Sequence, residues 1–95
     1  MNRILIALSK EGATVFRNNT GALKDKTGRP VHFGLCPGSS DIIGWTDKGV
    51  FIAVEVKLPG NKLTEKQWNF IERAKKSGCK AGWASNTEDA LDIIK

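Results

Sequence analysis

The chain contains one apolar run that dominates its pattern, Val50-Phe51-Ile52-Ala53-Val54, and the run ends in Glu55-Val56-Lys57. A short continuous apolar run bounded by turn residues predicts a buried β-strand. Charges seldom end such a strand without a partner or a task. Alternate strand residues share a face, so Glu55 and Lys57 point the same way. Ahead of the run, Asp41-Ile42-Ile43-Gly44-Trp45 predicts a second strand. Asp47-Lys48-Gly49 is a tight turn, which makes the two strands a hairpin. Pro59-Gly60 ends it.

The rest of the chain alternates between helix and strand signals. Ile4, Leu5 and Leu8 lie at helical spacing and Gly12 is a natural stop, which predicts a helix over 2–11. Ala13 to Arg17 predicts a short strand. Asn18 to Ser40 is polar, basic and glycine-containing, and reads as a long loop with a small strand inside it at Val31–Leu35. A second helix is predicted from Thr64 to Ser77 and closed by Gly78. Thr64 and Gln67 fit a capping box, with Leu63 and Trp68 as its hydrophobic staple. Trp68, Ile71, Ala74 and Lys75 form the expected core-facing stripe. Trp68 is expected in the core, as are Trp45 and Trp83. Ala81–Ala84 predicts a fourth strand and Thr87 to Ile94 a last helix. The order α-β-β-β-α-β-α implies an α/β fold, a mixed central sheet flanked by helices.

Length and charge narrow the function. The 95 residues make one domain, 1–95. The net charge is +5, and it is unevenly placed: residues 1–40 carry six Lys or Arg against two acids, residues 41–95 nine against eight. A basic first half suits a phosphate-rich partner. Cys36 and Cys79 follow no metal-ligand or CxxC spacing and read as reduced thiols. No signal peptide or membrane span is readable, so the expected setting is cytoplasmic and no membrane partner is expected.

The charged strand end is where chemistry is expected. Phosphodiester hydrolysis needs a metal to neutralise phosphoryl charge, an activated water, and a cation near the transition state. Asp41 and Glu55 can offer carboxylate oxygens to Mg²⁺ or Mn²⁺, and the Val56 carbonyl a third oxygen. Lys57 can orient the water or stabilise developing charge. A lone Glu-x-Lys is weak evidence, and an exposed ion pair at a strand end is its bland reading. Context strengthens it: a Gly-Ser-Ser-Asp turn precedes the neighbouring strand and a capped helix follows.

Phe16-Arg17-Asn18-Asn19-Thr20-Gly21, Phe33-Gly34 and Pro37-Gly38-Ser39-Ser40-Asp41-Ile42-Ile43-Gly44 appear in order. They are followed by Ala53-Val54-Glu55-Val56-Lys57, Leu63-Thr64-Glu65-Lys66-Gln67, and Gly78 with Ala81-Gly82. This series resembles the PD-(D/E)XK nuclease superfamily, and within it the VRR-NUC, or virus-type replication-repair nuclease, group. The resemblance spans nearly the whole chain. It implies a restriction-endonuclease-like αβββαβ core, Asp41 and Glu55 as metal ligands, a catalytic Lys57, and Gln67 projecting into the site. A capping box is a sufficient structural reason for Gln67, and one side chain is not expected to make both contacts at once. The group commonly carries a further acid early in the first helix. Here the one acid before the first strand is Glu11, a candidate ligand whose simpler reading is a solvated helix-end charge.

The implied activity is a Mg²⁺- or Mn²⁺-dependent deoxyribonuclease acting on branched DNA such as Holliday junctions, with flaps or nicked duplex ranking second, in a viral or bacterial-type setting. Junction resolution by a stand-alone domain implies a homodimer, whose twofold axis matches two strand cuts. Arg17, Asn19, Lys24, Lys26, Arg29, His32, Ser39 and Ser40 are the candidate DNA contacts, with a solvated loop as the plain alternative. Asn18 and Asn19 either stabilise the turn into the loop or approach the phosphate. The alternative function is a non-catalytic DNA-binding module that keeps the nuclease fold.

Overall fold

The computed structural model describes residues 1–95, apart from the side chain of Phe33. The apolar run forms β5 (Phe51–Val56), which lies inside a four-stranded sheet. The other elements are α1 (Asn2–Lys10), β1 (Thr14–Arg17), β2 (Gly21–Lys24), β3 (Pro30–Phe33), β4 (Ile42–Trp45), α2 (Glu65–Lys76), β6 (Lys80–Ala84) and α3 (Thr87–Ile93). The main sheet has the order β1-β4-β5-β6. β1 and β5 pair antiparallel with β4, whereas β6 pairs parallel with β5, so the sheet is mixed.

Period 2 sorts β5 between two small cores. Ile52 and Val54 join Ile4, Leu8, Ile42, Ala84 and Ala90 on the face covered by α1 and α3. Ala53 faces the other way and packs with Ile71 and Ala81 under α2. β5 is therefore buried on both faces, which explains why it reads as a continuous apolar run rather than an alternating one. Glu55 follows Ala53 onto the α2 face and is 2% exposed.

Three expectations change. The long loop over 18–40 contains a second sheet, the antiparallel β2–β3 hairpin, where the sequence suggests a single small strand. Its β2 was hidden because Gly21-Ala22-Leu23-Lys24 carries no β-branched residue. The hairpin has its own turn chemistry: Asp25 Oδ1 accepts bonds from Thr27 N (2.8 Å), Thr27 Oγ1 (2.7 Å) and Arg29 N (2.9 Å). Those bonds, the Thr27 hydroxyl first, hold the Asp25 carboxyl below its usual range.

The tryptophans are not core residues. Trp45, Trp68 and Trp83 are 48%, 45% and 45% exposed. The stripe of α2 that meets the sheet is Gln67, Phe70, Ile71 and Ala74, each buried or half-buried, while Trp68 and Lys75 are exposed. The stripe is thus rotated one position from the expected one, because Gln67 occupies a place an apolar residue would normally fill.

Candidate active site

The carboxylates are brought together by strand register. Ile42 pairs with Val54, so Asp41 lies one step beyond, opposite Glu55. Asp41 is held from both sides. Its carbonyl accepts from Asn18 N at 2.7 Å, continuing the β1–β4 ladder. Its Oδ2 accepts from Val56 N at 2.9 Å, so the side chain stands in for a ladder acceptor toward β5. Lys57 is anchored on the far side by its N–H to Ala84 O at 3.0 Å.

The turn leading into Asp41 is fixed by Asn18, which is 6% exposed. Asn18 Nδ2 donates to Ser39 Oγ (2.7 Å) and to Ser40 O (2.9 Å), and its Oδ1 accepts from Leu35 N (2.9 Å). Ser39 Oγ in turn donates to Cys36 O at 2.6 Å. Gly38 adopts φ +84°, and a Cβ there would lie 2.7 Å from Lys66 Cβ and 2.8 Å from Lys66 O. Only glycine lets this turn pass so close to the first turn of α2.

Gln67 makes both of the contacts that one side chain was not expected to make. Its Oε1 accepts from Thr64 N at 2.9 Å, completing the capping box with Thr64. Its Nε2 donates to Glu55 Oε1 at 3.2 Å. The two ends of one amide serve the cap and the site at the same time, so the helix start fixes the position of Gln67 against Glu55.

Burial is the main reason the Glu55 carboxyl is pushed up to about 8; the adjoining Asp41 adds to the rise and Lys57 opposes it. Its second oxygen, Oε2, is buried without a hydrogen-bond partner among the described residues. A buried carboxylate oxygen without a partner is costly unless a cation meets it. Two carboxylates and the nearby Val56 carbonyl suit a hard divalent cation that keeps much of its water. Among the described residues, no group of three or more His, Cys, Asp or Glu is placed to hold a metal. The carboxylates that the strand register brings together here are the pair Asp41 and Glu55.

Glu11 does not join them. Thr14 pairs with Trp45 and Arg17 with Ile42, so β1 runs toward the site and Glu11 precedes its far end. The three steps from Thr14 to Arg17 alone span about 10 Å. Glu11 instead borders a surface cavity with Glu88, Leu91 and Asp92 of α3. Ser39 and Ser40 are corrected as DNA contacts: they are 6% and 0% exposed, inside the turn. Arg17, Asn19, Lys24, Lys26, Arg29 and His32 are all exposed. Lys24, Lys26 and Arg29 gather at the closed end of the β2–β3 hairpin, where Lys24 pairs with Pro30. Asn18 is the functional residue the sequence left undecided; its position before a glycine-rich segment fitted either role, and only the fold shows it bridging 17 to 22 residues.

No helix among the described residues is long and apolar enough to cross a membrane. The family model of the VRR-NUC domain matches residues 6–87. A solved structure of a VRR-NUC domain is similar with a TM-score of 0.65 at 21% identity, over 98% of this chain and 87% of that one, which supports the fold. No match is found among curated proteins. With the matched segment containing the Asp41 turn, Glu55, Lys57 and Gln67, the chain belongs to the VRR-NUC family of nuclease-type domains.

Proposed function

We propose that this chain is a Mg²⁺- or Mn²⁺-dependent endonuclease that hydrolyses phosphodiester bonds in branched DNA. Four-way junctions are the first candidate substrate and flaps or nicked duplex the second. The observation that carries the reading is the buried Glu55 carboxylate beside Asp41, one oxygen held by Gln67 and the other without a partner.

Asp41, Glu55 and the Val56 carbonyl would hold the divalent ion, which when bound supplies neutralising charge for the phosphate. Asp41 is oriented by Val56 N, and Glu55 by Gln67, so neither carboxylate must reorganise to receive its ligand. Lys57, half-buried beside Glu55, supplies a fixed positive charge near the attacking water and the developing phosphorane. The exposed Lys24, Lys26 and Arg29 of the hairpin, with Arg17 at the site end of β1, contribute backbone phosphate contacts. A twofold dimer would supply the second cut of a junction.

The test is incubation with junction, flap and linear duplex DNA in Mg²⁺, Mn²⁺ or EDTA. Cutting is expected with metal and not with EDTA. Asp41→Ala, Glu55→Ala and Lys57→Ala should each lower the rate by about 10²–10³-fold or more while DNA binding persists. Undiminished cutting by Glu55→Ala would overturn the site. Binding without cutting in either metal would favour a non-catalytic module. The mass in solution tests the dimer.

A further inference from the structure

Two half-exposed tryptophans stand beside the carboxylate pair, and the chemistry above uses neither. Trp83 is the register partner of Glu55 in the parallel β5–β6 pair, so both side chains rise from the same sheet face. Trp68 directly follows Gln67 in α2. Each is 45% exposed, and together with Asn61, Lys62 and Leu63 they line one groove of about 270 Å³. Paired strands lie about 4.8 Å apart, so the groove begins within a nucleotide's length of Glu55.

We propose that this groove stacks an unpaired nucleobase of the substrate strand at or next to the scissile phosphate. The proposal rests on the nuclease reading of the site and sharpens its substrate to DNA with unpaired nucleotides at the cut. Three observations select this occupant. The groove borders the carboxylate site, because its Trp83 is the register partner of Glu55. Its apolar wall is aromatic, and flat indole faces match the π-face that every base exposes once unpaired. Lys62 on the rim adds positive charge for the adjoining phosphate. A base inside an intact duplex keeps its faces stacked on its neighbours and presents only edges, so duplex alone leaves the groove unfilled.

The test is tryptophan fluorescence of the full chain titrated in EDTA, where cutting is absent, with an oligothymidylate of about 12 nucleotides and with blunt duplex of the same length. A Trp45→Phe background removes the indole at the opposite end of the sheet. Oligothymidylate should quench the remaining emission and duplex should not. Trp83→Ala and Trp68→Ala should each weaken single-strand binding about 5- to 100-fold, with duplex affinity unchanged and Trp83→Phe recovering most of the loss. Absence of quenching in the folded Trp45→Phe protein would overturn the proposal, even if an alanine variant failed to fold. So would equal losses on duplex, or alanine variants that change mass in solution while binding oligothymidylate normally, which would make the groove an interface between copies. Because binding is read without metal, its outcome is separate from whether the protein cuts DNA.

Discussion

Asn18 and Lys24 lie six residues apart in sequence and belong to regions held in different ways. Asn18 is buried; its side chain makes three hydrogen bonds to the turn ahead of Asp41, and its backbone N–H a fourth to Asp41 itself. Lys24 is exposed on a hairpin whose strands pair with each other and not with the main sheet. The contrast follows the physics of the two proposed tasks. A carboxylate pair must be placed to within a fraction of an ångström, so its supports are buried and over-determined. Attraction to a phosphate backbone needs charge at roughly the right distance, and a solvated ribbon supplies that.

The sharpest way to break the comparison is Asn18→Ala. It leaves the Ser40 carbonyl without its partner inside a buried turn, and the Leu35 N–H without its partner at the turn's more exposed edge. The buried carbonyl alone costs about 1–3 kcal/mol. A large fall in Tm is expected on thermal melting, with loss of cutting, although Asn18 touches no reacting atom. A melting curve matching the parent's would show that the turn is held by something else.

Glu55 gives the second test, and its sign is opposite to that of an ordinary carboxylate. In the folded chain its pKa is raised to about 8 from 4.5. Between those values the folded state keeps a proton the unfolded state has released, so stability falls as pH rises. The contribution is complete below about pH 4.5 and gone above about pH 8. In EDTA, the parent should lose several degrees of Tm across this window relative to Glu55→Gln, which has no carboxyl to ionise. Adding Mn²⁺ at pH 8 should raise the parent's Tm and not the variant's, because the ion would bind the ionised form. A parent that gains stability over Glu55→Gln as pH rises would show that Glu55 ionises without penalty.

How much of this was legible follows the same division. β5, β4, α2 and the capping box were readable because apolar runs, turn residues and Thr64–Gln67 spacing are local signals. The family resemblance pointed to Asp41, Glu55, Lys57 and Gln67 for the same reason: each lies in a short motif. What was not legible depends on distant geometry. Glu11 looked available because sequence shows its charge and not the direction in which β1 runs. Ser39 and Ser40 looked like a polar surface turn, yet Asn18 from the end of β1 closes over them. Trp68 was assigned to the core by its apolarity, whereas α2 turns a polar Gln67 toward the sheet because Glu55 is there to bond it. The Gln67–Glu55 bond therefore goes with a helix face different from what hydrophobic patterning alone predicts.

The smallest expected change in stability belongs to the hairpin, and that smallness sharpens the contrast. Lys24→Ala, Lys26→Ala and Arg29→Ala together leave the Asp25 turn in place, because Asp25 bonds Thr27 and the Arg29 backbone rather than its guanidinium. Each site is exposed, so the combined change in unfolding free energy should stay within about 0.5–1 kcal/mol. DNA affinity should respond instead. Each phosphate contact removed lowers the slope of log K against log salt by about 1, so the triple variant should lose up to about 3 in slope and bind more weakly at low salt. Titrations at several salt concentrations, beside a melting curve, read both quantities on one preparation. A salt slope equal to the parent's would make the hairpin a solvated ribbon and move the phosphate contacts to Arg17 and the lysines around α2. A marked fall in Tm would instead show that the hairpin is tied into the fold as firmly as the Asn18 turn.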